Sequence, residues 1–135
     1  MAVTKSDLLK RNKRRFKLID LPGGGQARIR SLSSGEMRDF RRSMLNPQGK
    51  LIKSRSDNMH ELLIAQCLVD DEGNRLFTDE DAMSSSFAEI DGSLVSVLSS
   101  ECRSWTGFGT DPDWSAIEDA AKNSEPTSGN TSTAA

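Results

Sequence analysis

Phe16-Lys17-Leu18-Ile19-Asp20-Leu21-Pro22-Gly23-Gly24-Gly25-Gln26-Ala27-Arg28-Ile29-Arg30-Ser31-Leu32-Ser33-Ser34-Gly35-Glu36 decides the class of this fold. Apolar side chains alternate at Phe16 and Leu18 and again at Ala27 and Ile29. A glycine-rich turn separates the two runs, which is the pattern of a β-hairpin. Pro22 has no N–H to give to a ladder, so the first strand ends there. The glycines that follow admit positive φ in the turn. Then the period changes. Ser33 and Glu36 have capping-box spacing, in which each side chain satisfies the other's orphan N–H. The spacing predicts a helix over about Ser34–Leu45, with Met37, Phe40 and Met44 on one face and Arg38, Arg41 and Arg42 beside it. Asn46-Pro47-Gln48-Gly49 stops it. A hairpin running directly into a helix makes the class α+β.

Downstream the pattern is helical. Asp57 reads as the N-cap of a long helix through Met59, Leu62, Leu63, Gln66, Cys67 and Val69, nearly apolar all round at its end and hence central. Asp70-Asp71-Glu72-Gly73-Asn74 closes it. Thr78 and Asp81 have N-cap to N3 spacing, predicting a short helix over about Asp79–Ser85. The next helix runs over about Asp91–Trp105, with Leu94, Val95, Leu98, Cys102 and Trp105 as its face. Gly107-Phe108-Gly109 breaks it. Asp111-Pro112 opens a last short helix with Trp114, Ile117 and Ala121 on one side. Asn123–Ala135 has a single charge and no large apolar residue, the composition of a disordered tail. The expected architecture is α+β and mainly α-helical: an N-terminal hairpin (16–32), then four to five helices (34–121), in one domain over 16–122. A basic arm (1–15) precedes it and a tail (123–135) follows.

The formal net charge of -2 conceals a split. Residues 1–55 hold 15 of the 18 Lys and Arg and 4 of the 20 Asp and Glu, a balance of +11, and the remainder balances at -13. Such opposed halves suit head-to-tail self-association. Lys5–Arg15 carries only Leu8 and Leu9 as large apolar residues and reads as a short frayed helix or a disordered arm. Its cluster Lys10-Arg11-Asn12-Lys13-Arg14-Arg15 could neutralise phosphates. No tyrosine and no reader motif accompany it, so nucleic acid is not the expected partner.

Composition excludes other classes. No apolar run approaches the roughly 18 residues of a membrane span, and no apolar stretch follows the basic N-terminus as in a secretory signal. The two cysteines, Cys67 and Cys102, lie outside any metal spacing, and His60 is the lone histidine, so no zinc set is expected. The cysteines read as two half-buried free thiols of a reducing compartment, with one disulfide as the other option. A calcium loop started at Asp70 places Arg75 where glycine is required. Gly23-Gly24-Gly25 lacks the lysine and the helix start of a phosphate loop. His60 has no nucleophile placed by motif, so no catalytic residue, cofactor or metal is expected. Trp105, Phe108 and Trp114 form an aromatic cluster with two readings, core packing and an exposed partner-binding patch.

Two segments together carry a family resemblance. The first is Arg28-Ile29-Arg30-Ser31-Leu32-Ser33-Ser34-Gly35-Glu36-Met37-Arg38-Asp39-Phe40. The second is Leu68-Val69-Asp70-Asp71-Glu72-Gly73-Asn74-Arg75-Leu76-Phe77-Thr78-Asp79-Glu80-Asp81. Over about Leu18–Asn123 the chain resembles the tail assembly chaperones of long-tailed bacteriophages and prophages. The resemblance implies a non-catalytic helper in the host cytoplasm, absent from the mature virion. It would bind the tape-measure protein, keep it soluble and help recruit tail-tube protein, the last through a longer form made by programmed frameshifting. Trp105, Phe108 and Trp114 would be candidates for partner contact. The strongly basic arm departs from the family pattern, as does Trp105-Thr106-Gly107-Phe108-Gly109. The reading from another class is a small basic-arm nucleic-acid-binding or regulatory protein.

Overall fold

The computed structural model describes residues 2–123. The hairpin forms from β1 (Phe16–Asp20) and β2 (Gln26–Arg30), antiparallel, with Ile19 opposite Ala27 and Phe16 opposite Arg30. Gly23, Gly24 and Gly25 all take positive φ in the turn, a conformation that a side chain would strain. The register corrects one expectation. Ile19, Ala27 and Ile29 are buried, whereas Phe16 and Leu18 are exposed and share the outer face with Arg28 and Arg30. The hairpin therefore turns Lys17 and Ile19 inward, the opposite phase to the alternation of Phe16 and Leu18. Lys17 survives on that face because its Nζ reaches Glu101 at 2.9 Å.

A short helix precedes the hairpin: α1 (Lys5–Leu9), closed by a capping box between Thr4 and Asp7, with no buried residue. After the hairpin comes α2 (Ser34–Arg42), with the predicted Ser33–Glu36 capping box and Phe40 buried. It stops before Leu45, because Met44 and Leu45 close a tight turn that pairs Leu45 with Leu51.

The long central helix is the main correction. It is divided into α3 (Lys53–Asp57) and α4 (Met59–Cys67), separated at Asn58, so Asp57 is the end of one helix and not the N-cap of the next. Leu68 and Val69 are not helical. They form β3 (Leu68–Val69), which adds to the hairpin as a third antiparallel strand, Arg28 opposite Val69 and Ile29 opposite Leu68. Helical periodicity could not detect this switch, since a run buried on all sides reads alike in both conformations.

Two arginines make the switch possible. The last carbonyls of a helix lack intrahelical partners. Here Arg30 Nε donates to Gln66 O at 2.7 Å and Arg75 Nε donates to Ala65 O at 2.8 Å. Both cations sit at the negative end of α4.

Asp70–Asn74 is a turn, as expected, with Asp70 Oδ1 accepting from Glu72 N and Asn74 N. The predicted helix over Asp79–Ser85 is two short ones, α5 (Asp79–Ala82), capped by Thr78 and Asp81, and α6 (Ser85–Ala88), capped by Ser84. Then come α7 (Gly92–Thr106), a 3-10 turn (Phe108–Thr110) and α8 (Pro112–Asn123). Gly107 ends α7 at φ +91, a left-handed cap. The helix α8 includes Asn123, one residue beyond the expected domain limit; the disordered tail expected beyond it lies outside the described residues.

The class is α+β and mainly helical, as the sequence indicates. The core is built around α4, which packs on α7 and has Met59, Leu62, Leu63, Ile64, Ala65 and Cys67 all buried. The basic and acidic halves meet within one chain: Lys17 pairs with Glu101, Arg41 with Asp111 at 2.9 Å, and Arg55 with Asp79 at 3.4 Å. Part of the charge split along the sequence is thus paired inside the fold.

Candidate functional site

The predicted aromatic site divides in two. Phe108 and Trp114 are core residues, 0% and 2% exposed, and pack with Phe40. Ring centroids are 5.1 Å apart for Phe108–Trp114 and 5.6 Å for Phe40–Phe108. As parts of a contact surface they are therefore corrected: they hold α8 and the 3-10 turn onto α2. Trp105 stands apart. It is half-buried, with the Arg15 guanidinium 4.2 Å from its ring centroid and Lys17 Nζ at 5.8 Å. That geometry is a cation–π stack, and it ties the arm to the body.

The arm divides as well. Arg14 donates to Ser31 O at 2.7 Å and grips Glu36 through both terminal nitrogens, at 2.9 and 2.8 Å. Arg15 exchanges hydrogen bonds with Ser31, N–H to Oγ at 2.8 Å and carbonyl to Ser31 N at 2.8 Å. Arg14 and Arg15 thus belong to the folded body, and the arm proper ends at Lys13.

A concavity with a mainly apolar lining lies elsewhere, between the turn half of the hairpin and the helices α6 and α7. It encloses about 670 Å³. Leu18, Leu76 and Phe77 wall one side, Ile90, Leu94 and Val95 the other, and buried Ile64 and Leu68 form its floor. Leu18 and Leu76 are 58% and 52% exposed, unusual for leucines flanking a cleft in which apolar neighbours stand ready. At the rim stand Asp70 and Asp71. Arg28 also lines it: its guanidinium donates to Asp70 O at 3.3 Å and Asp71 O at 2.6 Å and lies 4.0 Å over the Phe16 ring, so the rim carries one cation beside the acids. A cleft of this size and lining accepts an apolar segment with a basic flank.

A polar chain that sequence reading missed lies on the other side of α7. His60 Nδ1 is 2.9 Å from Ser99 Oγ, and Nε2 is 2.8 Å from Glu118 Oε2. The order serine–imidazole–carboxylate is that of a nucleophilic relay. Yet Ser99 is buried, in mid-helix, where the backbone N–H groups are committed to carbonyls one turn back. The backbone there thus offers no oxyanion hole, although the Arg103 side chain, whose Nε has no hydrogen-bond partner among the described residues, lines the same pocket as His60 and Ser99. The chain does join α4, α7 and α8. Separations of 39 and 58 residues left no signal for it in the sequence.

Cys67 and Cys102 are free and buried, as the thiol reading expects, although fully rather than partly. The Cys102 thiol is pushed well above the usual range by its hydrogen bond with Cys67 and by burial. Among the described residues no group of three or more His, Cys, Asp or Glu is placed to hold a metal ion, and no helix is long and apolar enough to cross a membrane.

No family model, no curated protein and no solved structure matches this chain.

Proposed function

We propose that this protein is a tail assembly chaperone of a long-tailed bacteriophage or prophage. In this reading it binds the tape-measure protein in the host bacterial cytoplasm, keeps its apolar helices soluble, helps recruit tail-tube protein, and is left out of the mature virion. It acts by binding, not by catalysis. One observation carries the reading. The two segments that bear the family resemblance, far apart in the chain, are neighbours in the fold, with Arg28 paired to Val69 and Ile29 to Leu68. The second lines the apolar cleft with Leu68, Val69, Leu76 and Phe77, and the first reaches it at Arg28. An open cleft with charged rims gives modest affinity per contact, which suits a client that must later be released.

Co-expression with the tape-measure protein encoded beside it tests this. Soluble, co-purifying tape-measure protein is expected; an insoluble client with no co-purification would overturn the reading. Frameshifting predicts an A-rich slippery heptamer around the codons for Ala121-Lys122-Asn123, checked by reading the nucleotide sequence.

The alternative, nucleic-acid contact through the basic arm, has one observation in its favour. Among the described residues Lys10, Arg11 and Lys13 are exposed and have no ion-pair partner. A gel shift that persists at physiological salt and is lost on removing residues 1–13 would favour it.

A further inference from the structure

The N-terminal arm presents a problem of physical chemistry. Helix α1 is five residues long, too short to persist by propensity alone. Even so it has a complete capping box, Thr4 N to Asp7 Oδ2 at 3.2 Å and Asp7 N to Thr4 Oγ1 at 3.1 Å. Its apolar side chains have nowhere to go. Val3, Leu8 and Leu9 are 50%, 56% and 66% exposed. They account for three of the eight large apolar side chains left exposed among the described residues. Lys5 and Asp7 stand between Val3 and the two leucines, and Lys10, Arg11 and Lys13 follow them. The arm is therefore a preformed apolar plug with a basic collar.

The cleft beside the hairpin has the complementary character. Its walls are Leu18, Leu76, Leu94 and Val95, and its rim carries Asp70 and Asp71, followed by exposed Glu72, so the acids outnumber the rim cation Arg28 by three to one. The Asp71 carboxylate has no ion-pair partner among the described residues. Leu18 and Leu76 at the mouth are exposed, as are the leucines of the arm.

We propose that the cleft of one copy takes the arm of a second copy, with Val3, Leu8 and Leu9 among the wall leucines and Lys10, Arg11 and Lys13 against Asp70, Asp71 and Glu72. The chain's own arm leaves from the wrong place. Arg14 and Arg15 pin it to Ser31 and Glu36, at the open end of the hairpin. The cleft is walled by the turn half, from Leu18 to Leu21 and from Gln26 to Arg28. Because arm and cleft are different surfaces, the contact is heterologous, and each added copy offers a new arm and a new cleft. The inference concerns the free protein and rests on cleft and arm, not on the chaperone reading or on any client.

The test is sedimentation velocity of the full chain at rising concentration in 50 mM and 500 mM NaCl. Expected is association that weakens at least tenfold at the higher salt, since the rim pairs are exposed and screened. Two double variants separate the surfaces: Leu8→Asp with Leu9→Asp in the arm, and Leu18→Asp with Leu76→Asp in the cleft. All four positions are more than half exposed, so the fold tolerates them, and an unchanged circular dichroism spectrum and melting curve would verify this. Each variant alone should be monomeric. Their mixture should form a one-to-one dimer, because the intact arm of one meets the intact cleft of the other. A wild-type chain that stays monomeric at 50 mM NaCl overturns the proposal; so does association that survives either variant, or a mixture that fails to complement. Failure of a tape-measure protein to co-purify would leave every one of these outcomes unchanged.

Discussion

Arg14 holds Glu36 through two parallel hydrogen bonds, at 2.9 and 2.8 Å, while the same carboxylate accepts from Ser33 N at 2.8 Å. One side chain thus closes the capping box of α2 and anchors the chain entering β1. The Arg14 guanidinium holds the Glu36 carboxyl down to about 2, from an ordinary value of 4.5. The folded value lies below the unfolded one, so the stabilising contribution is complete above pH 4.5 and is lost as pH falls through about 2. Glu36 is about one-third exposed, so solvent screening discounts the pair to about 1 kcal/mol. Glu36→Gln should lower stability by about that amount at pH 7 and much less at pH 2. Urea midpoints of both chains at the two pH values check this.

The divided aromatic cluster predicts unequal costs. Trp114 is 2% exposed and stacks at 6.0 Å on Phe40, so Trp114→Ala should destabilise by roughly 3–5 kcal/mol. Trp105 meets the cations Arg15 and Lys17 on an accessible face, and Trp105→Ala should cost less, about 1–2 kcal/mol. Equal losses in denaturant melts would contradict the division.

The end of α4 depends on Arg30. Its guanidinium is half-buried, and burial lowers its affinity for a proton without neutralising it. Arg30→Met keeps the aliphatic packing and removes the donor to Gln66 O. A buried carbonyl left without a partner costs about 1–3 kcal/mol. Amide hydrogen exchange should report the loss first at Leu68 and Val69, where helix gives way to strand.

The buried thiols give a chemical readout. Cys67 and Cys102 are both 0% exposed, and Cys102 is held protonated by its hydrogen bond with Cys67 and by desolvation. Neither should react with a thiol-specific reagent at pH 8 in the folded chain, and both should react at once in urea. A fast-reacting cysteine in the native protein would contradict this placement.

Local signals were legible wherever a few neighbouring residues decide the outcome. The capping boxes at Ser33 and Thr78 formed as spaced, Gly107 ended α7, and Pro112 opened α8. Two misreadings have one cause. The phase of β1 and the fate of Leu68-Val69 depend on which face another element covers. Phe16 and Leu18 alternate as well as Lys17 and Ile19 do, but it is the second pair's face that is covered, with Ile19 buried and Lys17 meeting Glu101 and Trp105 of α7. For the candidate site, the chain disclosed its apolar and charged residues but not their grouping. Leu18 comes from β1, Leu94 from α7 and Leu76 from the loop between β3 and α5, and Phe108 and Trp114 look as available in sequence as Trp105.

By itself, then, the sequence determined the α+β class, the helix starts at Ser33, Thr78 and Pro112, the stop at Gly107, and the opposition of a basic front to an acidic back. These follow from backbone sterics, from orphan N–H groups near serine, threonine and aspartate, and from counting charges. Only the tertiary structure decided that Arg14 and Arg15 belong to the body and Lys10–Lys13 to the arm. It also decided that Leu68-Val69 joins the sheet, and that a cleft stays open beside the hairpin. Burial and pairing are relations between distant segments, and their free energy exists only once those segments have met.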